Sequence, residues 1–467
     1  MRAKLSLFRL LFICTGMSYA QFSARVHYVE LKEGISISGK PIKEHVASSE
    51  LKPDKFAKIV LYPEIEFQTI EGIGGAFNEL GGAALMSLPS KLQEEVSRNL
   101  FSEKDGGFSF CRTAIGASDF GIDAYSYSEV PGDYDMKHFS INREKKTVIP
   151  YIKQALKHNP ALKIFASPWS PPGWMKYSGL MDKGNDTPEK NRLISDSKTY
   201  SAYALYFSKY IQAYKKVGIP IDRLLIQNEN DANTIYPSNN MPPEEMGKFI
   251  RNYLIAAFDK DNIDTEIWAG TFRTQSQIDA IEFVANKENQ KAVKGIGIQY
   301  TSPTYIQQMS SLDPEMQIMH TEGNCFGGKN SVGEAFSRLG EISNYINYGS
   351  QNFCYWNMIL DETGKSGWDW KQNALININR KTNEIIYNPD YSVMMLVSKY
   401  LKKGSVRIAH HSRTNIISVK QGDKIYLFIQ NETENGKSYD CIIKDKTIST
   451  VEIPAHSVAV VELQKKL

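Results

Sequence analysis

The chain contains no apolar run long enough to cross a bilayer, few cysteines and no block of like charge. Its 467 residues carry a formal charge of only +3, so neither a polynucleotide nor an anionic membrane surface meets an extended complementary field. The five cysteines include no CxxC pair, which removes the usual zinc and dithiol spacings. The eight histidines are scattered; His410-His411 is the only tight pair, and no HExxH occurs. A GxSxG elbow is also missing. Gly72-Ile73-Gly74-Gly75 fits neither GxGxxG nor a phosphate loop, and reads better as close backbone packing at a strand's end. No metal or cofactor is implied.

The N-terminus reads as a targeting segment. Arg2, Lys4 and Arg9 give a positive start, Leu10 to Met17 is apolar but short, and Ser18-Tyr19-Ala20 offers small residues to a signal peptidase. Cleavage is expected after Ala20, with Gln21 first in the mature chain; the bulky Ile13 argues against lipid anchoring at Cys14. The protein is therefore expected to be secreted or periplasmic, with no integral membrane segment after signal removal. Cys111, Cys325, Cys354 and Cys441 remain; three fall in or beside expected strands, which favours buried thiols, although one bridge stays open.

From about residue 71 to 402, short apolar runs alternate with amphipathic stretches. The strand candidates are Gly72–Phe77, Phe108–Ile115, Lys163–Ser167, Arg223–Asn228, Glu266–Gly270, Gly295–Tyr300, Gln317–Thr321 and Asn352–Trp356. Helical patterns separate them, among them Pro89–Phe101, Ser197–Val217, Pro243–Phe258, Ser331–Tyr348 and Tyr391–Leu401. Eight such units predict an α/β fold, a (β/α)8 TIM barrel. Residues 21–70 and 403–467 are instead rich in strand-like runs and turn signals, and are expected to pair into a β-sandwich side domain. In that domain Tyr426 and Phe428 alternate on one strand face and read as core.

Two glutamates end apolar runs: Glu229 after Arg223-Leu-Leu-Ile-Gln-Asn, and Glu322 after Gln317-Ile-Met-His-Thr. The C-terminal ends of barrel strands are where such a fold builds its active site. The fourth and seventh strands stand across the ring from one another, so the two side chains can face each other over the mouth. A pair of carboxyl groups is what cleavage of a glycosidic bond requires, roughly 5–5.5 Å apart when configuration is retained. The acid needs surroundings that raise its pKa; the nucleophile needs donors that keep it ionised.

The words around these residues sharpen the reading. Gly72-Ile73-Gly74-Gly75-Ala76-Phe77, Ser167-Pro168-Trp169-Ser170-Pro171-Pro172-Gly173-Trp174-Met175-Lys176, Gln227-Asn228-Glu229 and Thr321-Glu322-Gly323 occur in the order and on the strands found in glycoside hydrolase family 30. The chain resembles that family, which includes the lysosomal glucosylceramidase, over nearly its whole mature length. The resemblance implies a retaining β-glycosidase with Glu229 as acid/base and Glu322 as nucleophile. It further implies that Asn228 contacts the sugar 2-hydroxyl, that Asp119 holds sugar hydroxyls deep in the subsite, and that Arg112 stands near the nucleophile. Trp169 and Trp356 would wall the pocket, Tyr300 would lie beside the nucleophile, and Asn373 is similar to a further sugar-contacting asparagine.

The implied substrate is a β-linked oligosaccharide, polysaccharide or glycolipid, with β-glucosides such as glucosylceramide or β-1,6-glucan favoured. A β-xyloside or β-fucoside preference, or a non-catalytic carbohydrate-binding barrel, remains as the alternative. Each residue also has a plain structural reading: Asn228 as a strand-end tie, Arg112 as a buried ion-pair partner, the tryptophans as core. Two departures from the family pattern stand out. Asn230-Asp231 follows the acid/base where many members carry proline, and His320-Thr321 precedes the nucleophile; both are expected to reshape the edge of the site.

Overall fold

The computed structural model describes residues 22–33, 40–47, 57–183 and 187–466; the expected leader at 1–20 lies outside them. The barrel strands are β1 (Gly72–Phe77), β2 (Phe110–Ile115), β3 (Lys163–Pro168), β4 (Arg223–Leu225), β5 (Glu266–Phe272), β6 (Gly295–Ile298), β7 (Gln317–His320) and β8 (Asn352–Asn357). They form one parallel sheet in ring order, with β8 paired to β1. Phe110, Phe165, Leu225, Trp268, Met319 and Cys354 point inward from six of these strands and fill the barrel interior with a separate apolar cluster. Gly74 is required here, because a Cβ would overlap the Phe110 carbonyl of the neighbouring strand.

Between β7 and β8 no backbone ladder closes the ring. Two isolated backbone bonds cross the gap, from the Gln351 N–H to the Ile318 carbonyl at 3.1 Å and from the Gly323 N–H to the Cys354 carbonyl at 2.7 Å, and side chains add to them: Asn352 Nδ2 donates to the His320 carbonyl at 2.8 Å, and its Oδ1 accepts from the His320 N–H at 3.0 Å. The Cys354 N–H donates to His320 Nδ1 at 3.1 Å. The imidazole stacks on Phe353 with centroids 4.2 Å apart, and burial keeps it neutral, well below its ordinary pKa. His320 thus serves the seam of the barrel and does not shape the edge of the site.

The helices follow their patterns. Ser197–Lys216 starts at Asp196, whose side chain accepts from the Thr199 N–H, and buries Tyr203, Tyr206, Tyr210 and Tyr214 against the barrel. Val332–Ile346 begins with a Ser331/Glu334 capping box. The stretch Pro243–Asp261 runs as one helix through a single π turn at Ile250–Leu254. Among the described residues no helix is long and apolar enough to cross a membrane.

The flanks build the side domain as one continuous nine-stranded sheet that curls over itself, so its two layers are not separate sheets. From the N-terminal side, strand Phe22–Glu30 pairs onto Ser457–Lys465 near the C-terminus, and Lys43–Val46 pairs onto Phe22–Glu30 as the edge strand. Ile425, Leu427 and Ile429 face the sheet's own core, whereas Tyr426 and Phe428 on the alternate face pack into the barrel's apolar cluster. Strand Lys58–Thr69 belongs to this sheet, and β1 begins three residues later. The four cysteines are buried and unpaired.

Candidate active site

A cavity of about 1000 Å³ opens at the C-terminal ends of the strands, and Glu229, Glu322, Asp119, Trp169 and Tyr300 all line it. Neither glutamate lies in regular strand. Beyond Leu225 the chain leaves the ladder but stays anchored: the Gln227 N–H donates to the Gly270 carbonyl at 2.9 Å and the Asn228 N–H to the Pro168 carbonyl at 2.8 Å. Glu229 then takes φ +46°, and Tyr300, just past β6, takes φ +52°. Such conformations are uncommon for residues with a Cβ and persist where the surroundings over-determine them.

Glu322 is held at both oxygens. Arg112 Nη1 donates to Oε2 at 2.7 Å, and the Tyr300 hydroxyl donates to Oε1 at 2.6 Å. Arg112 is fully buried and fixed by its other contacts: Ser167 Oγ at 2.7 Å, Asn228 Oδ1 at 2.7 Å and the Thr321 carbonyl at 3.2 Å. Burial pushes the Glu322 carboxyl above its ordinary pKa, while Arg112, the Tyr300 hydroxyl and Gln299 pull it back.

Glu229 is equally buried but differently served. Its backbone N–H donates to Thr271 Oγ1 at 3.0 Å, its Oε2 accepts from Arg273 Nη1 at 2.8 Å, and its Oε1 accepts from Gln299 Nε2 at 3.3 Å. Burial raises its pKa to about 7; Arg273 opposes the rise, and the Glu322 and Asp231 charges add to it. The same Gln299 nitrogen lies 3.3 Å from Glu322 Oε2. The two carboxylate oxygens are therefore at most about 6.6 Å apart, which favours the retaining over the inverting geometry.

The remaining expected residues fall into two sets. Asp119 lines the cavity with Oδ1 buried and unpartnered, and burial followed by the Glu322 and Glu229 charges pushes its carboxyl well up. Trp169 stacks on Trp356 with centroids 5.1 Å apart, and the Arg112 guanidinium lies 4.5 Å from the Trp169 ring. Asn228 turns Oδ1 to Arg112, which leaves its NH2 end as a donor for a ligand. Asn373 lines the cavity but is engaged in the wall: its Oδ1 accepts from the Asn330 N–H at 2.8 Å and its Nδ2 reaches the Phe326 carbonyl at 3.4 Å. It braces the loop carrying Phe326.

Several site residues escaped the sequence reading. Gln299 bridges the glutamates and is itself oriented by Thr321 Oγ1, which donates to its Oε1 at 2.8 Å. Arg273 follows β5, whose end the apolar run placed two residues early, at Gly270. Applying the same strand-end rule at the true boundary finds it. The aromatic rim of Phe326, Trp370 and Tyr236 that continues from Tyr300 was unreadable, because loops bring its rings together. Phe326 and Trp370 stack at 6.0 Å, and Trp370 and Tyr236 at 5.4 Å.

Comparison with known proteins agrees with this geometry. Residues 70–400 match the glycosyl hydrolase family 30 TIM-barrel domain. The lysosomal acid glucosylceramidase of Mus musculus is 26% identical over 378 residues, covering 75% of this chain and 72% of that protein. The endo-1,6-beta-D-glucanase neg1 of Aspergillus fumigatus is 33% identical over 212 residues, 43% of each chain. Among solved structures, SrfJ from Salmonella typhimurium superposes with a TM-score of 0.85 at 21% identity, over 95% of this chain and all of that one, a likeness of fold.

Proposed function

The chain belongs to glycosyl hydrolase family 30 and is a glycosidase; from that premise we propose that it hydrolyses β-linked glucosides by double displacement. Glu322 attacks the anomeric carbon through an oxygen freed from Arg112 or Tyr300, and the C–O bond to the leaving group breaks. Glu229 gives that leaving oxygen its proton. A glycosyl ester on Glu322 results. Glu229, now ionised, takes a proton from water as the water attacks the same carbon, and Glu322 departs as carboxylate. The Gln299 amide shared by the two glutamates carries this reading, since it bounds their separation.

The supports for a glucosyl unit are the unpartnered Asp119 oxygen, the free donor of Asn228 and the place of Trp169 in the cavity wall. The same cavity is lined by Thr274, Thr301, Asn324 and Asn344, interspersed with the aromatic rings of Phe326, Tyr345 and Trp370. That lining suits a sugar as leaving group better than an acyl chain, so a β-glucan is the favoured substrate. The purified protein should be given β-1,6-linked gluco-oligosaccharides, with aryl β-glucoside, β-xyloside and β-fucoside in parallel. Rapid shortening of the oligomers is the expected result. Inert oligomers with a cleaved aryl glycoside would overturn the glucan assignment and name the preferred sugar. The proposed export is checked by sequencing the N-terminus of protein recovered outside the cytoplasm, where Gln21 should come first.

A further inference from the structure

Arg273, the cation on the Glu229 side of the cavity, has no part in the scheme above. It is a fork between two carboxylates: Nη1 donates to Glu229 Oε2 at 2.8 Å, and Nε donates to Asp231 Oδ1 at 2.8 Å. Its backbone is pinned as well, because the Arg273 N–H donates to Ser276 Oγ at 2.9 Å. Asp231 stands two residues past the acid/base, next to Asn230, which occupies the position where many family members carry proline.

We propose that Asp231 and Arg273 form a charge-balanced clamp that orients the Glu229 carboxyl and sets the pH at which it yields its proton. The inference rests on the acid/base role proposed for Glu229. A guanidinium at 2.8 Å with no other partner would hold Glu229 ionised, the wrong state for the first chemical step. Sharing the guanidinium with Asp231 divides its charge between two carboxylates. The directional hydrogen bond survives while the electrostatic pull on Glu229 weakens. Arg273 and Asp231 are positioning residues in this account.

The neighbours are compatible with that assignment. Glu229 is also faced by Glu322, Tyr300 and Asp119, from strand ends across the mouth, and by Tyr236 from its own loop. Arg273 is the cation within this set. Behind the clamp, Asp279 of the helix Gln277–Ala285 accepts from Asn230 Nδ2 at 2.7 Å and stands near Asp231. Its proximity adds negative charge on the Asp231 side.

The test is the pH dependence of kcat/KM on an aryl β-glucoside with a poor leaving group, for wild type, D231N, R273M and R273K. The alkaline limb reports loss of the Glu229 proton. With D231N the undivided Arg273 charge favours the carboxylate, so the limb should move about one pH unit lower. With R273M the cation is gone, and the limb should move about one unit higher. R273K, which keeps the charge, should restore the limb most of the way to its wild-type position. A role confined to structure would depress kcat and leave the limb in place, and that result overturns the proposal, as do shifts of the same sign in D231N and R273M. Should R273M fail to fold, the direction seen with D231N decides alone. Wild type inactive on every aryl glycoside would overturn the acid/base reading itself, a failure distinct from an unmoved limb.

Discussion

The two halves of the active-site mouth bury their glutamates to nearly the same degree, 6% exposed for Glu229 and 5% for Glu322, yet equip them for opposite tasks. On the Glu322 side the donors are short and shared with no second carboxylate: a buried arginine on one oxygen, a tyrosine hydroxyl on the other. On the Glu229 side the arginine is shared with Asp231, and the second oxygen receives only the longer Gln299 contact. Burial raises both carboxyls; the donors decide which one is better held as an anion. Role follows from partner chemistry and not from depth.

The largest effect should come from removing the nucleophile. E322Q keeps the shape and loses the charge, and kcat should fall by at least about 10⁴-fold on every substrate. A variant that keeps more than about one hundredth of wild-type turnover would erase the distinction between the two halves. E229Q comes next and should be selective. On poor leaving groups the loss should be roughly 10²–10⁴-fold, whereas bond cleavage with an activated phenol should hardly slow, because such a group departs without a proton. Equal loss on both substrate types contradicts the acid assignment.

A smaller change probes the donors on Glu322. Y300F removes one hydrogen bond to a charged oxygen, worth about 1.5–3 kcal/mol, so kcat/KM should drop by roughly ten- to a hundredfold. It should also raise the acidic limb of the pH profile, since the nucleophile then holds its proton more tightly. An unmoved acidic limb would show that Arg112 alone sets the Glu322 charge.

The last prediction concerns stability. Glu229 rises from an ordinary 4.5 to about 7 on folding, so the native protein binds a proton that the unfolded chain has released over that interval. The stability tied to that proton is present in full below about pH 4.5 and is lost as pH climbs through about 7. E229Q escapes the loss. It should melt higher than wild type at pH 8, by up to about 3 kcal/mol of unfolding free energy, and the gap should close below pH 5. Thermal melts at both pH values check the sign; a gap that is constant with pH would refute the raised pKa.

How far the sequence reached depended on whether a feature was local. The barrel strands, and the meeting of the two glutamates at the mouth, were legible because each apolar run holds a buried parallel strand and each carboxylate follows a few residues past its end. Arg273 was missed because β5 continues through Thr271 and Phe272, past the glycine that marked its apparent end. His320 was misplaced because it alternates with the inward-facing Met319 and so points into a seam that only the three-dimensional closure of the ring creates. The Phe326–Trp370–Tyr236 rim joins three loops, and Asn373 is turned into its wall by contacts to residues 326 and 330. Such long-range contacts leave no periodic trace in the chain.

The central claim is that Glu322 forms the bond to sugar and Glu229 does not. The direct measurement uses E229Q with an activated aryl β-glucoside, where release of the glycosyl-enzyme is slowed, followed by intact mass and peptide mapping. One added glycosyl unit on the peptide that contains Glu322 is the predicted result. A label on Glu229's peptide or on Asp119's, or steady turnover with no labelled protein and the α-anomer appearing first, would contradict the account.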